Sequence, residues 1–492
     1  MTRVLKKQKT ENKTAIRYFE GLNLWILAAV FVANVFFQLS EVSSSLFLYV
    51  GTFILLGILF FIDKDEYIYL FVSLLSVQRF STIFNVSVIN IITFVYFFKT
   101  YVFENEYKSE KEKRRLPKSI VSAGIFYIIF SLLDLFDANG IRSMLISVKL
   151  LFFLIYMVDV FRSMNDRKQA EKRFMNMQVY YIYGVLIAVF TSILINPSYS
   201  IDATRMSLSE DSGVNQLGIS LAFCLAFVTL GMTGVTNFKE WTTLAITALP
   251  LLYYCFATQS RTSIIALIII FASVLTLGYT QKKARLWITL MGVASVVVFG
   301  SLVLFTEGSQ IHENIMGTIE RFADPGKDDI SGGRFELWSH YIEVLGSNMK
   351  FFFLGGNLDD FGGIQAHNMF IEMFAGGGLV GVILSIALYV TVFIEIRKAI
   401  VSIRESKKHI LGFLPFVLVF VTGMASHSLL NTVPTVNFCL GVAMIYFYGE
   451  CNSDEDNVAD NDDSGIESLR KRKRYKNIRR LDSRYSKKFR RI

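Results

Sequence analysis

Charge and proline are both scarce in this chain. Asp, Glu, Lys and Arg make up 18% of its 492 residues, and there are six prolines. Charge that sparse excludes an ordinary soluble globule, in which about a quarter of residues are charged. The shortage of proline suits long unbroken helices. There are only four cysteines: Cys224, Cys255 and Cys439 lie within apolar runs and Cys451 just after one. None has metal-ligand spacing or a place in a long polar loop, so neither a disulfide framework nor a zinc site is supported. Also missing are a Walker-type phosphate loop, a Rossmann fingerprint, an HExxH and a CxxC, so a nucleotide-driven cytosolic reaction has no visible home. The first apolar run begins near Leu22 without a small-residue cleavage pattern, and it reads as a retained span rather than a cleaved signal. No short-period repeat and no inverted duplication stands out.

What is present is hydrophobic. Ala, Val, Ile, Leu, Met, Phe, Trp, Tyr and Cys make up 53% of the chain, with 45 Phe and 22 Tyr, and the mean hydropathy is positive. On a ruler of roughly 20 apolar residues per crossing, the candidate spans are 22–39, 44–62, 66–80, 84–103, 119–136, 142–161, 177–195, 214–231, 241–257, 260–279, 285–305, 368–396, 410–430 and 434–450. The third is short and pairs with the fourth as a possible re-entrant unit, so the expectation is an all-α polytopic membrane protein of about 12–14 transmembrane helices. Lys and Arg collect on the cytoplasmic side of spans. With Lys6, Lys7 and Lys9 inside, the clusters Lys108–Lys118, Arg162–Arg173, Lys282–Arg285 and Arg397–Lys408 also fall inside. The domain expectation is a cytoplasmic N-terminal segment at 1–21, helices 1–11 at 22–305, an extracytoplasmic loop at 306–366, helices 12–14 at 367–450 and a cytoplasmic tail at 451–492. The tail turns from acidic to strongly basic, with thirteen Lys and Arg between Arg470 and Arg491. It reads as a disordered segment that fixes topology, or alternatively as a contact with anionic lipid. The net charge of +9 sits largely on the inner side, which argues against nucleic acid as a partner.

A few charged residues on the outer side carry the chemistry. Arg261, in Thr258-Gln259-Ser260-Arg261-Thr262-Ser263, opens a span. Arg334 lies in Ser331-Gly332-Gly333-Arg334-Phe335-Glu336-Leu337-Trp338, ahead of a short amphipathic helix with Trp338 and Tyr341. Arg205 precedes Gly213-Val214-Asn215-Gln216-Leu217-Gly218. Guanidinium groups stay charged and meet phosphate oxygens bidentately, so three of them above a bilayer suit a diphosphate. A lone arginine there would more simply contact a lipid headgroup. His367 sits where the long loop re-enters the membrane, beside Asn368, a residue type favoured at helix N-caps. A neutral imidazole there can take a proton from a hydroxyl at ambient pH. Glu372, one turn on, either orients that ring or is a buried hydrogen-bonded carboxylate. Lys149 interrupts an apolar span, where it snorkels toward phosphate or pairs with Asp134 or Asp137. Asp328-Asp329 and Asp359-Asp360 read as solvated loop carboxylates rather than metal ligands, and Gly355-Gly356 and Gly362-Gly363 as mobile turns or simple punctuation.

Taken in chain order, the Arg205–Gly218 loop, Ser260-Arg261, Ser331-Gly332-x-Arg334-x3-Trp338 and His367-Asn368 before Gly376-Gly377-Gly378 resemble the superfamily of O-antigen ligases and O-antigen or capsule polysaccharide polymerases. The resemblance covers roughly Arg205 to Ser385. It implies a GT-C-like arrangement with one long extracytoplasmic loop containing short helices. It also implies a polyprenyl-diphosphate-linked oligosaccharide as donor, a sugar hydroxyl as acceptor, and metal-independent inverting transfer without a cofactor. By the same resemblance Arg261, Arg334 and Arg205 hold the donor diphosphate and His367 is the base, with Trp338, Asn368, Glu372 and Lys149 in support. Partners would be membrane lipids, a chain-length regulator and a flippase. A polymerase of capsule or exopolysaccharide type is the reading preferred. Ligase-type transfer to another acceptor, or a lipid-linked oligosaccharide flippase, is the alternative.

Overall fold

The computed structural model of the chain describes residues 22–63, 66–77, 82–83, 86–103, 118–134, 148, 151–152, 154–155, 167–200, 205–209, 213–234, 238–278, 293, 297, 300–301, 307–323, 334–356, 358–364 and 366–402. Among these the regular structure is helical apart from one two-stranded hairpin. The helices are α1 Leu24–Val42, α2 Leu46–Ile58, α3 Tyr67–Ser73, α4 Val88–Phe97, α5 Lys118–Asp134, α6 Arg167–Ile195, α7 Val214–Gly234, α8 Phe238–Ala257, α9 Arg261–Gly278, α10 Gln310–Ala323, α11 Arg334–Ser347, α12 Met349–Leu354 and α13 Met369–Ser402. Short strands β1 Thr82–Ile83 and β2 Val86–Ser87 pair antiparallel. The fold is that of an all-α polytopic membrane protein. Leu24–Val42, Met175–Ile195, Val214–Met232 and Met369–Ile394 are long and apolar enough to cross a bilayer by length and composition. Large apolar side chains on their outer faces, such as Phe31, Phe190 and Phe393, are exposed as lipid-facing residues should be.

The two segments read as the third and fourth spans form one antiparallel pair. Seven residues make α3 only about 10 Å long, too short to cross by itself. Its Tyr67 hydroxyl donates to Thr93 at 2.9 Å and its ring stacks on Tyr96 at 3.7 Å, so α3 begins where α4 ends. Lys99 Nζ reaches the Leu59 carbonyl at 2.8 Å, at the same end of the bundle. The β1–β2 hairpin makes the turn between them.

At the other end, five helix termini converge. Gln38 near the end of α1 and Ser192 near the end of α6 both donate to the Leu208 carbonyl at 3.2 Å. Met206 N–H donates to Ala257 at the end of α8 (3.0 Å). Ser260 Oγ, preceding α9, donates to Asn215 Oδ1 at the start of α7 (3.0 Å). The loop helix α10 is held there by Thr318 Oγ1, which donates to the Phe256 carbonyl at 2.9 Å.

One expectation about the spans changes. The stretch 368–396 does not run straight, because Gly378, at φ 57 and ψ −154, breaks α13 into arms 369–377 and 379–402. The arms fold back on each other. Tyr389 O–H donates to Met369 Sδ at 2.6 Å, the Phe370 and Tyr389 rings lie 6.2 Å apart, and a Cβ on Gly381 would sit 2.5 Å from the Met373 carbonyl oxygen. In a straight helix residues 369 and 389 would be about 30 Å apart. The long arm alone, about 36 Å at ~1.5 Å per residue, has the length to cross. The short arm carries the His367-Asn368 element at its free end.

The glycine-rich apex is a seat for the loop. Gly355, at φ 81, lies so close that a Cβ would meet the backbone of Ala375, Gly376 and Gly377 at 2.5–2.6 Å, while Gly378 lies against the backbone of Phe353 and Leu354. The break at Gly378 disrupts the local helical ladder, and the Gly356 N–H donates to the Ala375 carbonyl at 2.7 Å. Gly355-Gly356 is thus a pinned contact, not a mobile turn. Phe130 of α5 supports the apex from the other side, beneath Gly377 and Gly381.

Candidate functional site

Three segments bring the predicted residues to the converging end of the bundle. The first is the turn Thr258–Ser260 and the start of α9. Thr258, Gln259, Ser260, Thr262 and Ser263 are all buried, an unusual density of hydroxyl and amide groups for a membrane bundle. Ser260 Oγ accepts the Ser263 N–H at 3.4 Å, the N-cap role that serine plays before a helix. Gln259 holds φ 48, and a Cβ on Gly317 of α10 would press 2.8 Å from its Nε2, so α10 closes over this turn. Arg261 follows directly and is half-buried.

The second segment is α11. Residues 334, 338, 341 and 345 recur at helical spacing and form the stripe that faces the protein. Tyr341 and Leu345 are buried on it, and with Phe361, Ala366 and Ala375 they make a small core of their own. Trp338 Nε1–H donates to the Ala366 carbonyl at 2.8 Å, and the Tyr341 hydroxyl donates to the Ile364 carbonyl at 2.5 Å. Arg334 continues the stripe one turn before Trp338. Burial holds the Arg334 guanidinium below its ordinary value, and the positive charge of Arg261 adds to the effect. Sequence-distant arginines are therefore close enough to repel. Two half-buried cations in one place favour an anion between them.

The third is the start of α13. Asn368 Oδ1 accepts the N–H groups of Phe370 (3.0 Å) and Ile371 (3.3 Å), the N-cap role expected for it. Glu372 Oε1 accepts the backbone N–H of His367 at 3.0 Å. The carboxylate thus fixes the His367 peptide, which has φ 53. Among the described residues, Gln259 and His367 are the two non-glycine positions with positive φ, and both belong to this end. Strain of that kind, about 1–3 kcal/mol per residue, persists where surrounding contacts over-determine the backbone, and it clusters at functional sites. The negative charge of Glu372, after burial, also helps push the Tyr341 hydroxyl up to about 12.

These contacts link the two clusters through one helix. Arg334 heads the α11 stripe, and Trp338 and Tyr341 donate to the carbonyls of Ala366 and Ile364, just before His367. Arg205 is half-buried beside Met206, whose N–H is tied to Ala257 four residues before Arg261. Lys149, Ser331–Gly333, Asp328 and Asp329, and the tail after 402 lie outside the described residues. Among the described residues no group of three His, Cys, Asp or Glu side chains has metal-site geometry. Two contributors were not singled out from sequence. Tyr341 was seen only as a helix residue, although its place seven after Arg334 and three after Trp338 marks the same face. Gln259 gave no sequence signal, since its strain exists only in the folded turn.

No curated protein matches the chain. Residues 246–386 match the O-antigen ligase family, a segment that contains Arg261, Arg334, Trp338, His367, Asn368 and Glu372 and leaves out Arg205 and Lys149. That segment, which holds both the arginine pair and the His367 element, is similar to the O-antigen ligase family.

Proposed function

We propose that this chain is a polysaccharide polymerase. It transfers a polyprenyl-diphosphate-linked glycan to a sugar hydroxyl of a second lipid-linked repeat unit at the outer face of the cytoplasmic membrane. The observation that carries the reading is the inward stripe of α11, with Arg334 at its head and Trp338 and Tyr341 hydrogen-bonded to the residues just before His367. The acceptor hydroxyl oxygen attacks the anomeric carbon from the side opposite the diphosphate. The bond from that carbon to the diphosphate oxygen breaks, and its electron pair leaves with the polyprenyl diphosphate. The hydroxyl proton passes to the neutral His367 imidazole, and the anomeric configuration inverts. Arg261 and Arg334, with Arg205, meet the charge that grows on the leaving diphosphate. Such charge stabilisation and alignment are most of what a reaction with so good a leaving group needs. A bound metal has no part in this scheme. The basic clusters at Lys282–Arg285 and Arg397–Lys408, read as cytoplasmic, support an extracytoplasmic placement of the site.

A capsule or exopolysaccharide product is favoured by the Lys-, Ile-, Phe- and Asn-rich composition of the chain, typical of an AT-rich genome without lipopolysaccharide. The test is product formation by purified protein supplied with one lipid-linked repeat unit as both donor and acceptor. A ladder of polymer supports polymerase. A product that appears only when a chemically different acceptor is added would make the chain a ligase, and no covalent product with either would sink the transferase reading.

A further inference from the structure

The long loop carries an apolar strip that faces away from the protein. On α11, at about 100° per residue, three faces separate. The stripe of residues 334, 338, 341 and 345 is turned to the protein, as described. Glu336, His340 and Glu343 share an exposed charged face. Between the two lie Phe335 (66% exposed) and Ile342 (60% exposed). In α12 the sequence Met349-Lys350-Phe351-Phe352-Phe353-Leu354 is apolar all round except for Lys350. Phe351 and Phe352 turn inward, against Phe361 and Phe374. Met349, Phe353 and Leu354 stay exposed, at 70%, 44% and 48%. A helix that is apolar on every side is expected to be covered on every side.

The level of this strip says what covers it. The backbone of Phe353 and Leu354 lies on Gly378 at the α13 apex, and Phe130 of α5 lies under Gly377 and Gly381. The end of α12 is therefore level with the last turns of α5. There α5 exposes Ile128 and Leu132, at 47% and 52%, and the long arm of α13 exposes Ile383 and Ile386, at 57% and 52%. These belong to the lipid-facing surface of the bundle, and the strip continues it.

We propose that α11 and α12 are interfacial membrane helices. Phe335, Ile342, Met349, Phe353 and Leu354 enter the acyl-chain boundary of the leaflet at the site end, while Glu336, His340 and Glu343 stay in water and Lys350 reaches the headgroups. Amphipathic helices of this kind sit with their apolar face about 5–10 Å into the headgroup–acyl boundary. The loop then does not hang free above the membrane, and Arg334 is held at the depth where headgroup phosphates lie. The inference concerns the bilayer and stands whether or not the transfer proposed above takes place.

The test is spin labelling of the full-length protein in vesicles of phosphatidylethanolamine and phosphatidylglycerol. Cys439 and Cys451 are replaced by serine, and the buried Cys224 and Cys255 are kept. Nitroxides are placed singly through Ile342→Cys, Met349→Cys, Phe353→Cys and, as the water-facing neighbour, Glu343→Cys. Ile386→Cys serves as the lipid-facing standard. Collisions with oxygen are expected to exceed those with a water-soluble nickel chelate at 342, 349 and 353, as at 386, and the order is expected to invert at 343. Because 342 and 343 are adjacent, misfolding would make them alike, and that result would overturn the proposal. So would a water pattern at any of 342, 349 or 353.

Discussion

Three consecutive glycines at the α13 apex have different surroundings, and substituting each by alanine separates their roles. At Gly378 the backbone holds φ 57 and ψ −154, a region that L-residues avoid, and the new Cβ would collide with the Phe353 and Leu354 backbone. Neither obstacle can relax by a side-chain rotation. The conformational cost is about 1–3 kcal/mol, overpacking adds about 1–3 kcal/mol, and losing the Gly356–Ala375 hydrogen bond adds ~0.5–1.5 kcal/mol. Gly378→Ala is therefore expected to destabilise by roughly 2.5–7.5 kcal/mol, chiefly by lifting α12 off its seat. At Gly377 the Cβ would meet only the Phe130 ring, at 2.8 Å, and that ring can turn aside. At Gly376 nothing lies within 4 Å, so alanine should be neutral or gain up to about 1 kcal/mol from its helix propensity. Thermal denaturation of the three variants in detergent should rank Gly376→Ala at or above wild type, Gly377→Ala below it and Gly378→Ala lowest. A Gly378→Ala protein that melts with wild type, or a Gly376→Ala protein that falls as far as Gly378→Ala, would refute the folded-back apex.

Arg261→Ala and Arg334→Ala are each expected to abolish polymer formation, with Arg→Lys restoring little because an ammonium cannot reproduce bidentate geometry; full activity in Arg334→Ala at normal protein level would remove it from the site. Tyr341→Phe loses the hydrogen bond to Ile364 and should cost ~0.5–1.5 kcal/mol in stability. Burial, and next the Glu372 charge, raise the Tyr341 pKa from 10.0 to about 12 in the fold, so wild type keeps its full stability below about pH 10 and loses it relative to Tyr341→Phe as the pH rises through 12. Wild type and Tyr341→Phe should therefore converge in stability over that window, as denaturant titrations at several pH values would show. Cysteine at Asp328 should react with an impermeant maleimide on intact cells whose wall is permeabilised, and labelling only after lysis would invert the topology.

Much of this was legible in the sequence, for reasons that also explain the remainder. Arg261, Arg334 and His367 stood out because ionisable residues are rare in so apolar a chain, and in the fold the charge of Arg261 bears on Arg334, more than seventy residues along the chain. Asn368 could be read as a cap because capping depends on the residue and its immediate neighbours. The fold-back of α13 could not. A run of apolar residues around Gly376-Gly377-Gly378 has the same hydropathy whether the helix is straight or reversed, and only the contacts of Met369 with Tyr389 and of Gly378 with α12 distinguish them. Glu372 reads from sequence either as orienting the His367 ring or as a hydrogen-bonded carboxylate, and in the structure it accepts the His367 peptide N–H. The positive φ of His367 is a tertiary constraint invisible in local propensity.

The most direct test of the central claim is transfer by purified His367→Gln in detergent, beside wild type, with donor binding measured on the same samples. Glutamine keeps a polar side chain at the start of α13 but cannot accept the acceptor proton as imidazole does. Loss of a general base typically costs ~10²–10⁴-fold in rate, while Arg261 and Arg334 are untouched. The expected result is a folded protein that binds the lipid-linked donor as wild type does and makes no detectable polymer. Substantial polymer from His367→Gln would contradict the account.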